Sequence, residues 1–141
     1  NMEINKNESF IEKLSSQTIN SEICWKRATS FNKLDFSSNP ELGIVFFNNE
    51  YCTIDFENSF FSHIDSANIY IVLKQIESGR DGSRVKNYSV YLQQESNNEI
   101  SKLSCSQAVI YQLVNSINSY LAKNKSTLND FIDSYLKNSQ S

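Results

Sequence analysis

An α+β fold in one domain follows from two features of this sequence. Both ends carry helical periodicity, and the middle, from residue 44 to 95, is a succession of strand-like runs with no helix between them. Strands in succession flanked by helices favour an antiparallel meander, because parallel pairing would need a crossover between each pair. A chain of 141 residues can bury roughly 70% of the surface its unfolded form exposes, so neither disulfides nor a metal is required to hold it. We therefore expect an N-terminal helix, an antiparallel β-meander of four to five strands and two C-terminal helices. They form a single domain over 1–141, with 1–5 and 138–141 frayed.

At the start, Asn5 and Glu8 stand three apart, as in a capping box, and Phe10, Ile11 and Leu14 then share one helical face. A helix over about 6–18 is predicted. In SEICWKRATSF (21–31), Ile23 and Trp25 alternate with Cys24 and Lys26, which suits a short strand or extended arm as well as helix. The only proline and the first glycine make FSSNPELG (36–43) a turn.

IVFFN (44–48) is a short apolar run and reads as a strand. In YCTIDFE (51–57), Cys52, Ile54 and Phe56 alternate onto one face. The Asn48–Asn49 pair between these runs suits a hairpin turn, since Asn tolerates positive φ. NSFFSHID (58–65) is a weaker strand candidate, whose place in the sheet the sequence leaves open. ANIYIVLKQIE (67–77) holds five consecutive apolar residues, so it is placed centrally with both faces covered. NYSVYLQQE (87–95) alternates again, Tyr88, Val90 and Leu92 toward the core and Tyr91 outward or toward a second layer. Between the last two strands ESGRDGSRVKN (77–87) forms a hairpin tip longer than the usual two to five residues.

At the C-terminal end, Ser104 and Gln107 repeat the capping-box spacing, and Ile110, Leu113, Val114, Ile117 and Leu121 follow at helical intervals. After LAKNKS, Thr127 and Asp130 open a second short helix with the face Leu128, Phe131, Ile132, Tyr135 and Leu136.

The early Phe10, Leu14, Thr18, Ile23 and Trp25 and the closing FIDSYL (131–136) form an FxxxL…T…IxW segment and an FIDxYL helix. In these the chain resembles short uncharacterised proteins of bacteria and their phages. The resemblance covers about the two ends, and it implies a fold and a microbial or phage origin but no activity.

Chemistry is sparse. A net charge of −3 gives no bulk attraction to nucleic acid or to an anionic membrane. The N-terminus has no signal-peptide run and no stretch suits a membrane span, so a cytoplasmic setting is expected (the host's, for a phage protein). Cys24, Cys52 and Cys105 lack metal-binding spacing and read as reduced thiols. His63 is the sole histidine, too few for a two-histidine zinc set. It could pair with Asp65 as an acid–base couple or serve Cys52 as a base, but a half-exposed strand histidine and a buried thiol explain both. Asp55 with Glu57, and Asp130 with Asp133, read as solvated faces, and three glycines assemble no nucleotide-binding fingerprint. No cofactor or metal is expected, and no catalytic set emerges.

Two clusters remain as candidate partner-binding residues. Trp25, Lys26 and Arg27 combine an aromatic anchor with cations. Arg80, Arg84 and Lys86 share the hairpin tip, with Lys74 and the rings of Tyr70, Tyr88 and Tyr91 nearby. The expectation is a small non-enzymatic protein that binds a macromolecular partner stoichiometrically, most naturally another protein, in an immunity, antitoxin-like, anti-defence or accessory role. The alternatives are a single-stranded nucleic-acid module using the 80–86 loop, or a protein holding a small ligand in a pocket. A homodimer through the central aromatic face is compatible with the pattern.

Overall fold

A computed structural model describes residues 2–139 of the chain. The order is α1 (Met2–Ile19), β1 (Lys26–Arg27), a 3-10 turn (Ala28–Ser30), α2 (Lys33–Ser38), α3 (Leu42–Val45), β2 (Cys52–Ile64), β3 (Ala67–Glu77), β4 (Arg84–Gln94), β5 (Ile100–Leu103) and α4 (Gln107–Ser139). The five strands form one antiparallel sheet in sequence order, the expected meander. Its edge strands are very short, β1 pairing only with Phe60 and Phe61 of β2 and β5 only with residues 90–93 of β4.

β3 lies at the centre, and both its faces are covered. Ile69, Ile71 and Leu73 point into a core with Phe60, Tyr88 and Val90, closed by α1 through Ile11 and Leu14 and by α4 through Ile110, Leu113, Val114 and Ile117. Tyr70 and Val72 point the other way, into a second core with Tyr91 and with Leu42, Val45 and Phe46 of α3. The fully apolar run of β3 is thus the signature of a strand between two layers.

Several elements depart from the sequence reading. α1 starts before residue 6 and passes through Asn5 and Glu8, so these do not cap it. Glu8 Oε1 instead accepts from the Ser106 N–H at 3.1 Å, placing a carboxylate at the start of α4, where the helix dipole favours it. IVFFN is not a strand. Backbone bonds Gly43 N–H to Pro40 O and Ile44 N–H to Glu41 O open a helical turn, and Leu42 and Val45, three apart, face the sheet. Ahead of it α2 has a true capping box, Asn32 with Asp35, in both directions. With no strand before it, Asn48–Asn49 makes no hairpin. Asn49 Oδ1 accepts from Tyr51 N–H and Cys52 N–H, and Asn48 Oδ1 from Ile54 N–H, so the pair fastens the start of β2.

Residues 51–57 and 58–65, read as two segments, are one strand, β2. Its pairing with β3 jumps from Asp55↔Leu73 to Phe60↔Ile71, leaving 56–59 bulged opposite Val72. Three polar groups of the bulge are held by side-chain bonds. Ser59 Oγ donates to Asp55 O and accepts from Leu73 N–H, Arg27 Nη1 donates to Glu57 O at 2.6 Å, and Tyr88 OH donates to Asn58 O at 2.9 Å.

Burial, with Tyr111 and Asp55 nearby, pushes the Tyr88 hydroxyl up to about 12 from an ordinary 10.0. The fold therefore favours neutral Tyr88, a contribution complete below pH 10 and lost as pH rises through about 12. Thermal unfolding followed across that interval should show a steeper decline for the wild type than for Tyr88→Phe; parallel declines would refute the assignment.

The C-terminal segment is a single helix of 33 residues, not two. Gln107 fixes it to the sheet: Oε1 accepts from Tyr88 N–H and Nε2 donates to Tyr88 O, taking the ladder place that β5, ending at Leu103, leaves empty.

Candidate functional site

α1 and α4 run parallel, as the pairings of Asn7 with Ser104, Glu8 with Ser106 and Ser15 with Ser116 show. α1 ends at Ile19, level with Tyr120 and Lys123, which line the same small cleft. α4 continues past that point with every described residue from Ala122 to Asn138 exposed. A helix of this length projects about 25 Å from the body at 1.5 Å per residue.

The projecting arm is amphipathic. Ile117, Leu121, Asn124, Leu128, Phe131 and Tyr135 repeat at alternating steps of four and three residues, a heptad seam. Ile117 is buried in the core with α1 and the sheet and Leu121 is half-buried, whereas the seam residues from Asn124 to Tyr135 are all exposed. Leu128 is 57% exposed, Phe131 65%, Ile132 43% and Tyr135 65%. Phe131 and Tyr135 stack with ring centroids 6.3 Å apart. Large apolar side chains gathered on one uncovered face mark an interaction surface. The two acids Asp130 and Asp133 belong to this exposed arm.

The residues singled out from sequence fall elsewhere. Trp25 is 3% exposed, its indole in the core and its Nε1 donating to Thr18 Oγ1 at 2.9 Å; it cannot anchor a partner. Lys26 is exposed on β1. Arg27 is half-buried, held by Glu57 O and lying over the Phe60 ring at 5.3 Å. The three cations of the tip do not form one loop. Arg84 and Lys86 stand on β4, with Arg84 opposite Glu77, and Arg80 alone lies in the shorter connection 78–83. That connection is closed by Ser78 N–H to Ser83 O and Ser83 Oγ to Ser78 O, both 2.7 Å, with Gly79 and Gly82 at positive φ. Tyr70, Tyr88 and Tyr91 are buried, and Lys74 is bonded to the Tyr91 hydroxyl. These three tyrosines are therefore no stacking platform, while Tyr51, 60% exposed, lies at the base of the tip with its carbonyl accepting the Glu77 N–H.

Cys52 and His63 sit at opposite ends of β2, too far apart to act as nucleophile and base, and Cys24, Cys52 and Cys105 are unlinked thiols. Asp65 turns away into the β2–β3 turn with φ 51°. The partner of His63 is Asn68, Nδ1 to Oδ1 at 2.8 Å. A chain of amides decides the proton here. Gln93 Nε2 donates to Asn98 O, a carbonyl that can only accept. Gln93 Oε1 therefore accepts, from Tyr70 OH at 2.7 Å, Asn39 Nδ2 at 2.9 Å and Asn68 Nδ2 at 3.4 Å. Asn68 then presents Oδ1 to His63, whose Nδ1 must carry the hydrogen, leaving Nε2 as the unprotonated nitrogen of the neutral ring. Burial pushes the Tyr70 hydroxyl in this network up. His63, Asn68, Cys24, Trp25 and Tyr120 line a cavity of about 360 Å³ at the end of the sheet.

Among the described residues no group of three or more His, Cys, Asp or Glu gathers as a metal site, and no helix is long and apolar enough to cross a membrane. Compared with protein-family models, curated proteins and solved structures, the chain matches none.

Proposed function

We propose that this is a non-enzymatic binding protein that engages a protein partner stoichiometrically through the arm of α4, in an immunity, antitoxin-like, anti-defence or accessory role in a bacterium or phage. The observation that carries the reading is the uncovered apolar seam Leu128, Phe131, Ile132 and Tyr135. Such a stripe at helical spacing fits the groove of a partner as an inserted helix does, with aromatic side chains as the anchors. Lys123, Lys125 and Lys137 rim the arm together with Asp130 and Asp133, so contact rests on apolar burial rather than on one sign of charge.

Cross-linking of the tagged protein in its source cells tests this. One species should be captured at near-equal stoichiometry by the wild type and by Arg84→Ala, and at least about tenfold less by Phe131→Asp. Equal capture by Phe131→Asp would remove the arm from the interface. The nucleic-acid alternative predicts the opposite pattern, sensitivity to Arg84→Ala and indifference to Phe131→Asp, and the burial of Tyr70, Tyr88 and Tyr91 takes away the rings first considered for it.

A further inference from the structure

Resting on that reading of the arm, we infer that the surface first to occupy the seam is the arm of a second copy, laid antiparallel, so that the protein is a two-fold dimer. Three observations lead there.

The first is the geometry of α4. Its seam over Ile110–Ile117 is filled by α1, which runs parallel to it. A partner α4 in parallel register would bring its own body into the space that α1 occupies. An antiparallel partner lays only arm on arm and leaves the two bodies at opposite ends, so only that direction is open.

The second is self-complementarity. In an antiparallel pair each a layer meets a d layer. With the two-fold axis between Leu128 and Phe131, Leu128 of one chain meets Phe131 of the other, and Asn124 meets Tyr135. Asn124, polar within the exposed seam, thereby faces a hydroxyl that can bond its amide. None of these four positions carries a charge, so the isologous contact desolvates no ion.

The third is extent. Ile19, 66% exposed at the end of α1, flanks the root of the arm beside Tyr120 and Lys123. The tip of an antiparallel partner arrives there and covers it. At roughly 100 Å² each, Ile19, Leu128, Phe131, Ile132 and Tyr135 present about 500 Å² per chain. With the flanking helix surface a pair buries about 1,200 Å², the lower bound of specific interfaces. An interface at that bound suits a dimer that exchanges with a competing protein groove.

Sedimentation equilibrium of the full chain, up to several hundred micromolar, should give twice the monomer mass. Phe131→Asp should shift it to monomer with an unchanged melting temperature at low concentration, since the side chain touches nothing in the body. Direction is read by disulfide trapping in a chain whose Cys24, Cys52 and Cys105 are replaced by Ser. A mixture of Asn124→Cys and Tyr135→Cys chains should cross-link to each other, and neither variant to itself. A wild type that stays monomeric throughout overturns the dimer, as does self-linking of Asn124→Cys, the mark of parallel pairing. Because no other protein is present, such a failure is separate from loss of partner capture, which tests the arm itself.

Discussion

Trp25→Ala should lower the unfolding free energy by about 4 kcal/mol, a fall of roughly 15 °C in melting temperature for a chain of this size. The indole is the one large ring on the segment that joins α1 to the sheet, and its removal opens a cavity against a core filled from α1, β2 and α4. It also ends a two-step polar tie, Trp25 Nε1 to Thr18 Oγ1 and Thr18 Oγ1 to Leu14 O at 2.7 Å. Trp25→Phe keeps most of the volume and loses the donor, so it should cost about 1–2 kcal/mol. Denaturant unfolding of both variants checks the pair. A loss below about 1 kcal/mol for Trp25→Ala would mean that the ring is not a core element.

The second large effect is expected at Gln93. Gln93→Leu matches the volume but leaves Tyr70 OH and Asn68 Nδ2 without their acceptor and Asn39 Oδ1 and Asn98 O without their Gln93 donor, while Asn39 Nδ2 keeps only Tyr70 OH. Only the Tyr70 hydroxyl among these groups is buried, while Asn39 and Asn68 are half-buried and Asn98 is exposed to water, so about 2 kcal/mol is expected. Adding Tyr70→Phe removes one stranded hydroxyl and should recover about 1 kcal/mol, a non-additivity that a double-mutant cycle reads directly. The same variant frees the Asn68 amide to rotate. Nitrogen chemical shifts of the His63 ring should then show a Nδ1–H tautomer in the wild type and a mixture in Gln93→Leu. A wild-type ring already protonated at Nε2 while neutral would break the chain of amide orientations.

The sheet was legible because β3 and β4 carry long, unambiguous patterns: five apolar residues in a row, and Tyr88, Val90 and Leu92 alternating. IVFFN was not, since an apolar run of that length fits a buried helical turn as well as a strand. Asn32 and Asp35 did carry a local signal for α2, a capping box three residues apart. The β2 bulge had none, because its partners Arg27, Leu73 and Tyr88 are distant in sequence. The break expected after Leu121 was an error of a particular kind. AKNKS is polar because it is exposed all round, yet it contains neither glycine nor proline and nothing to stop a helix. The heptad steps through Asn124 were the available sign of continuity. Trp25 was weighed as an anchor because its neighbours are cations, but along this extended segment Trp25 turns into the core and Lys26 out, and Arg27 lies over the Phe60 ring of that same core.

The unbroken course of α4 has one more consequence. Nucleating a helix is the unfavourable step, and an isolated helix of the arm's length is marginal in water. Here the packed turns from Gln107 to Leu121 serve as a permanent nucleus, and each further residue only has to propagate. The arm is thereby offered already wound, sparing a partner the ordering entropy that a disordered tail would forfeit on binding. Amide exchange should accordingly quicken steadily from root to tip, like a rope held at one end.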